Sequence, residues 1–153
     1  MGRGPLAGPL AVGAVVLDGD SVIEGLNDSK QVKPEDRVLI AEQVKQHARA
    51  WTVRYIEPAD IDARGMTSSL KSAFRQAISD IEQQGASIAA ASIIAKVERD
   101  ALMVKLDGLY PGYGFAANKG YASPEHIEAI ERHGLSPVHR ASFCASFTQP
   151  ALF

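Results

Sequence analysis

Apolar and polar positions follow two different rhythms along this chain. Residues 10–17, Leu-Ala-Val-Gly-Ala-Val-Val-Leu, are an almost unbroken run of small and β-branched side chains. Such a run predicts a strand buried on both faces. Asp18-Gly19-Asp20 then predicts a turn. From Lys33 the rhythm becomes helical: Pro34 sits near the first helical position, Glu35 and Asp36 follow it, and Ile40, Ala41, Val44 and Ala48 share one face. Over 51–56 it returns to alternation, with Trp51, Val53 and Tyr55 against Thr52 and Arg54, a second strand that Glu57-Pro58 should break. Residues 60–66 read as irregular, which puts Asp60 and Asp62 in a loop.

Three further helices follow. Thr67 or Ser68 can cap the first, whose apolar face is Leu70, Ala73, Phe74, Ala77, Ile78 and Ile81 and whose stop is Gly85. Ser87 opens the second, which runs to about Leu109. Its first half is nearly all small or aliphatic, a composition suited to close packing against other backbone. Residues 111–121 are a loop dense in glycine and aromatics. The third helix has Ser123 as N-cap, Pro124 at its first position and His133-Gly134 at its end. The tail carries His139-Arg140-Ala141-Ser142-Phe143 before turning apolar. Two strands make a smaller sheet than a domain with this βα pattern normally uses.

Composition narrows the function more than the fold. The 153 residues predict a single domain with ordinary soluble composition. A net charge of −2 argues against nonspecific binding of polyanions, so any nucleic-acid site must be a local basic patch. One cysteine, Cys144, excludes an internal disulfide. The absence of a signal-peptide pattern or a membrane-length apolar run predicts a cytoplasmic protein with no membrane partner.

Three places could touch phosphate or nucleic acid. The first is Gly2-Arg3-Gly4, set in a stretch of glycine and proline up to Pro9. On residues alone it suits either a loop that a phosphate or ribose approaches closely, or an unstructured terminus. The second is Ser29-Lys30, where Lys30 could also be a solvated loop charge. The third is Lys119-Gly120-Tyr121, where Tyr121 could stack on a base or sugar, or simply anchor the loop. His47, His126, His133 and His139 show no metal-ligand spacing, Cys144 has no partner at such spacing, and the aspartates are scattered. No catalytic residue and no metal ligand is assigned.

These stretches, in this order, carry a resemblance. Gly2 to Pro9, Gly25-Leu26-Asn27-Asp28-Ser29-Lys30, Ser87 to Lys96 with Arg99-Asp100, Tyr110 to Phe115, Lys119-Gly120-Tyr121, and His139-Arg140 with Ser142-Phe143 strongly resemble bacterial ribonuclease HII, the type 2 ribonuclease H. The resemblance runs nearly end to end. It implies an α/β ribonuclease H-like fold with a sheet flanked by helices and a helical C-terminal part. It also implies an endonuclease that cuts the RNA strand of RNA–DNA hybrids, and beside ribonucleotides in DNA. By the same resemblance carboxylates hold Mg²⁺ or Mn²⁺, and the partner is a hybrid or a ribonucleotide-containing duplex met by a monomer. Gly2, Arg3 and Gly4 would read the 2′-hydroxyl, Tyr121 would press on the sugar, and Lys30 would lie near phosphates.

The chain also departs from that pattern. The family carries an Asp-Glu pair one residue before Gly-Arg-Gly, and here Met1 is that one residue. Between Gln84 and Ser87 the family has two strands bearing further carboxylates, and here stands only Gly85-Ala86. Asn118 occupies a position where the family usually has His. The fold is therefore expected to be an incomplete, few-stranded version of the family's, truncated at the N-terminus, internally deleted and without the metal ligands. A binding remnant that engages hybrids without cutting them, or a decayed gene product, is the alternative to an active nuclease.

Overall fold

The computed structural model describes residues 1–17, 23–26, 30–81 and 88–148. Elements follow in the order β1 (Leu10–Leu17), α1 (Pro34–His47), β2 (Ala48–Ile56), α2 (Pro58–Arg64), α3 (Met66–Ile81), α4 (Ile88–Leu109), α5 (Phe115–Asn118), α6 (Pro124–His133) and α7 (Ala141–Thr148). β1 and β2 pair as a two-stranded sheet, the small sheet the hydrophobic pattern predicts. The turn expected at Asp18-Gly19-Asp20, the helix stop at Gly85 and the helix start at Ser87 lie outside the described residues, as do Asn27, Asp28 and Ser29.

The chain forms two compact units. One comprises residue 1 with 11–55 and 70–99, and the other 2–10, 56–69 and 100–153. In the first, Val15, Ile40, Ala41, Val44, Ile93 and Ile94 make a buried cluster. β1 is buried almost throughout, as its continuous apolar run demands. Gly13 is where β1 meets α4: a Cβ there would lie 2.5 Å from the Ala91 carbonyl oxygen and 3.2 Å from the Ala95 methyl. The small-residue half of α4 thus presses its backbone onto the strand, and each fully buried aliphatic side chain beside it, such as Ile93 or Ile94, contributes about 2 kcal/mol.

The structure changes four local expectations. Residues 60–64 are helical, not irregular: Pro58 starts α2, Asp60 stands in its first turn, and Gly65, at φ 77°, ends it. The Pro58 that breaks β2 is also the residue best suited to begin a helix. Asp60 and Asp62 therefore project from a helix. Asp60 pairs with Arg64 at 2.7 Å, and Asp62 accepts the Ala141 and Ser142 N–H groups at 2.7 and 3.1 Å, capping α7. α3 begins at Met66, before the expected caps, and buries Ser69, Ala73, Ala77 and Ile81, leaving Phe74 and Ile78 about half exposed. The apolar tail after Arg140 is α7, and a single helical turn, α5, lies inside the glycine-aromatic loop. Ala48 belongs to β2, its N–H bonded to the Val44 carbonyl at the end of α1.

Candidate nucleic-acid interface

Gly2-Arg3-Gly4 and Lys119-Gly120-Tyr121 come together in the second unit. The Leu6 and Ala7 N–H groups donate to the Gly120 carbonyl at 2.7 and 3.2 Å, and the Gly8 N–H donates to the Val138 carbonyl at 2.9 Å. Ala7 also forms a bridge with His139. The stretch that could have been an unstructured terminus is instead held on both sides, with residues 5–10 buried and only Arg3 and Gly4 exposed.

The turn that carries Lys119 and Tyr121 is built for close approach. Lys119, at φ 51°, is the one non-glycine residue with positive φ among those described. Asn118 secures it twice, donating to the Tyr113 carbonyl and accepting the Gly120 N–H, both at 2.7 Å. The amide at this position therefore acts as a local clamp, donating on one side and accepting on the other. The Lys119 ammonium bonds the Ala116 carbonyl. Tyr121 keeps 47% of its surface exposed. Lys30 is exposed in the other unit, just ahead of α1.

Two groups that local sequence reading passes over hold this arrangement. Arg140, fully buried, sends its guanidinium into the N-terminal loop. Nη2 donates to the Gly2 and Gly8 carbonyls at 2.8 and 2.7 Å, Nε to Gly8 at 3.0 Å, and Nη1 to Pro5 and Arg3 at 3.1 and 3.3 Å. The only sequence signal was its place in the His139–Phe143 motif.

The second group is a pair of histidines thirteen residues apart. The Nε2 atoms of buried His126 and His139 lie 3.1 Å from each other. His126 Nδ1 faces the Tyr121 carbonyl at 2.8 Å, and His139 Nδ1 accepts the Ser136 N–H at 2.9 Å. A carbonyl only accepts and an amide N–H only donates, so the proton positions follow. His126 carries its proton on Nδ1, and His139 donates from Nε2 to His126 Nε2. Both rings are neutral. Burial, then the neighbouring His126, pushes His139 down to about 4, and burial lowers His126 as well. The chain of bonds ends on the Tyr121 carbonyl, so it fixes the backbone of this half-exposed residue.

Cys144 has no role in ligand chemistry. It is buried against Leu6, and burial pushes its thiol up to about 11, which keeps it protonated and inert.

The metal that the resemblance implies finds no place among the described residues. No group of three or more His, Cys, Asp or Glu side chains there gathers to hold an ion. Asp60 and Asp62 are engaged as above, and Asp80 binds Arg54 and Thr52. The donor set described does not fit a divalent ion.

Comparison with known proteins matches the motifs. The family model described as Ribonuclease HII matches residues 1–87 and 80–146, two stretches that overlap at 80–87. A ribonuclease HII of Desulfitobacterium hafniense is 41% identical over 169 aligned residues, covering 93% of this chain and 65% of that protein. One from Ruminiclostridium cellulolyticum is 38% identical, covering 97% and 69%. The chain thus spans about two thirds of the length of these relatives, and the 169-residue alignment is longer than its own 153 residues. Among solved structures, the PCNA:RNase HII complex from Archaeoglobus fulgidus superposes with a TM-score of 0.78 at 22% identity, over 99% of this chain and 95% of that one. The ribonuclease H2 from Pyrococcus horikoshii OT3 gives 0.68 at 23%, over 98% and 96%. Both show the same fold.

Proposed function

The chain belongs to the ribonuclease HII family, and from that premise we propose that it recognises RNA–DNA hybrids and ribonucleotide-containing duplex DNA, the substrates of a hydrolytic endonuclease. Gly2, Arg3 and Gly4 read the 2′-hydroxyl, Tyr121 presses on the adjoining sugar, and Lys119 and Lys30 meet phosphates. The reading includes a single domain working as a cytoplasmic monomer, with Mg²⁺ or Mn²⁺ as the metal of the family. No described helix is long and apolar enough to cross a membrane.

One observation carries this reading. Gly4 is exposed, is absent from the positive-φ glycines, and a Cβ added to it would meet nothing within 4 Å. The fold does not need a glycine there. A ligand that must reach the backbone does, because a methyl group would stand between it and the Arg3 and Gly4 N–H groups. Gly4→Ala is therefore expected to leave the melting temperature unchanged and to weaken hybrid binding by about tenfold, the loss of one hydrogen bond to a ligand. Fluorescence polarisation with a labelled hybrid and the matching all-DNA duplex checks it. Equal affinity of the unmodified chain for the two duplexes would overturn the reading.

A second reading, binding without cutting, is favoured by the lack of a metal-holding cluster among the described residues. The family match falls into two parts that overlap at 80–87, and the resemblance implies the family's further carboxylates beside that junction. The purified 153-residue chain is expected to bind a ribonucleotide-containing duplex and leave it intact in Mg²⁺ or Mn²⁺. Metal-dependent cleavage would sink this second reading and leave the first in place.

A further inference from the structure

A guanidinium buried behind a loop is an uncommon way to spend a charge. Removing a cation from water is costly unless its donors are all met, and here they are met by backbone carbonyls of one short stretch. Five hydrogen bonds run from Arg140 to four carbonyls, those of Gly2, Arg3, Pro5 and Gly8. The Arg140 N–H also donates to the Leu6 carbonyl at 2.8 Å, so main chain and side chain grip the same loop.

The consequence follows from peptide geometry. A trans peptide points its C=O and N–H in opposite directions. The Gly2 carbonyl and the Arg3 N–H belong to one peptide, and the Arg3 carbonyl and the Gly4 N–H to the next. With both carbonyls turned onto Arg140, both N–H groups point away from it, on the side where Arg3 and Gly4 are exposed. No cis peptide interrupts this relation among the described residues. The next such N–H, that of Leu6, is taken by the Gly120 carbonyl at 2.7 Å. The Arg3 and Gly4 N–H donors thus face the exposed side of the loop.

We propose that Arg140 is the positioning residue of the substrate-reading loop: it turns the loop's carbonyls inward and so presents the Arg3 and Gly4 N–H groups to the 2′-hydroxyl. This rests on the hybrid-binding reading of the loop. Arg140 touches no substrate itself; it acts through the peptides it holds. Lysine cannot replace it, because an ammonium offers three donors from one point, whereas a guanidinium offers a planar fork that reaches separate carbonyls.

Arg140→Lys in the full chain tests the proposal through two readouts. Amide hydrogen exchange reports the loop itself: protection at Leu6 and Gly8 is expected to fall, while α6 keeps its protection. Polarisation reports selectivity: the preference for hybrid over all-DNA duplex is expected to drop by about tenfold or more, with affinity for the DNA duplex little changed, since phosphate contacts carry the latter. Unchanged exchange at Leu6 and Gly8, or an unchanged preference in a chain that has one, would overturn the proposal. A wild-type chain without any preference would instead overturn the hybrid-binding reading, and the exchange result alone would then decide whether Arg140 orders the loop. If Arg140→Lys does not fold, the side-chain ¹⁵N spectrum of the unmodified protein decides. Separate, slowly exchanging Arg140 Nη protons are expected, and averaged, fast-exchanging ones would refute the arrangement.

Discussion

Gly120→Ala is expected to cost about 4 kcal/mol of stability, the sum of placing a side chain at positive φ and forcing overpacking. Gly120 stands at φ 82°, where an L side chain crowds its own carbonyl. Its new Cβ would lie 2.3 Å from the Ala7 carbonyl oxygen, 3.0 Å from the carbon of that group and 3.1 Å from the end of Met103. Met103 can yield, being a flexible side chain, but the Ala7 backbone cannot move without breaking the bonds that Leu6 and Ala7 make to Gly120. The substitution should therefore part the N-terminal loop from the Lys119–Tyr121 turn as well as destabilise the second unit. Urea denaturation checks the first effect, with a melting temperature lower by about 10 °C for a domain of this length. The hybrid-to-DNA preference checks the second. A cost below about 1 kcal/mol would show that the loop and the turn do not meet as closely as the geometry requires.

Acid should weaken the fold through His126 and His139. In the unfolded chain a histidine titrates near 6.5, whereas His139 in the folded protein is pushed down to about 4 by burial and by its neighbour. Between these values the unfolded state binds the extra proton, so stability falls as pH falls. The contribution is whole above 6.5, is lost progressively as pH drops to about 4, and amounts to about 3 kcal/mol. Protonating either ring also sets two N–H groups against each other, or an N–H against the Ser136 N–H, and breaks the chain of bonds that ends on Tyr121. Denaturation curves across this pH range, for the wild type and for His139→Gln, measure the effect. The wild type should lose stability over the window while the variant loses much less of it. Parallel profiles would refute the assignment, and if the variant does not fold, an NMR titration placing His139 near 6.5 would do so.

Both effects depend on contacts between residues far apart in sequence, and so does most of what the residues could not reveal singly. The 3.6-residue rhythm predicts α1 with its Pro34 start, the Ser123-Pro124 cap and His133-Gly134 stop predict α6, and the apolar run predicts β1 over residues 10–17. Local rhythm fails where the element is short. α2 has only seven residues, too few for a face to repeat, and the proline that begins it is indistinguishable in sequence from one that only ends a strand. It also overstates burial: Phe74 and Ile78 fall on the expected apolar face of α3, yet the close-packed line is Ser69, Ala73, Ala77 and Ile81. Spacing tells which residues share a helix side but not how wide a strip its neighbours cover.

By itself, then, the sequence determined the family through an ordered set of motifs, the small sheet through the scarcity of strand-like runs, and Gly2, Arg3, Gly4, Lys119 and Tyr121 as the residues to watch. Tertiary structure alone decided that the first three and the last two belong to one unit, that Gly120 is where they touch, and that Arg140 and the His126–His139 pair hold them. The reason is physical. Helix caps and hydrophobic periodicity act within a few residues and leave a local trace. A hydrogen bond from Arg140 to Gly2 spans 138 positions and leaves none, because any arginine in any chain carries the same donors. Only folding determines which carbonyls will be there to accept them.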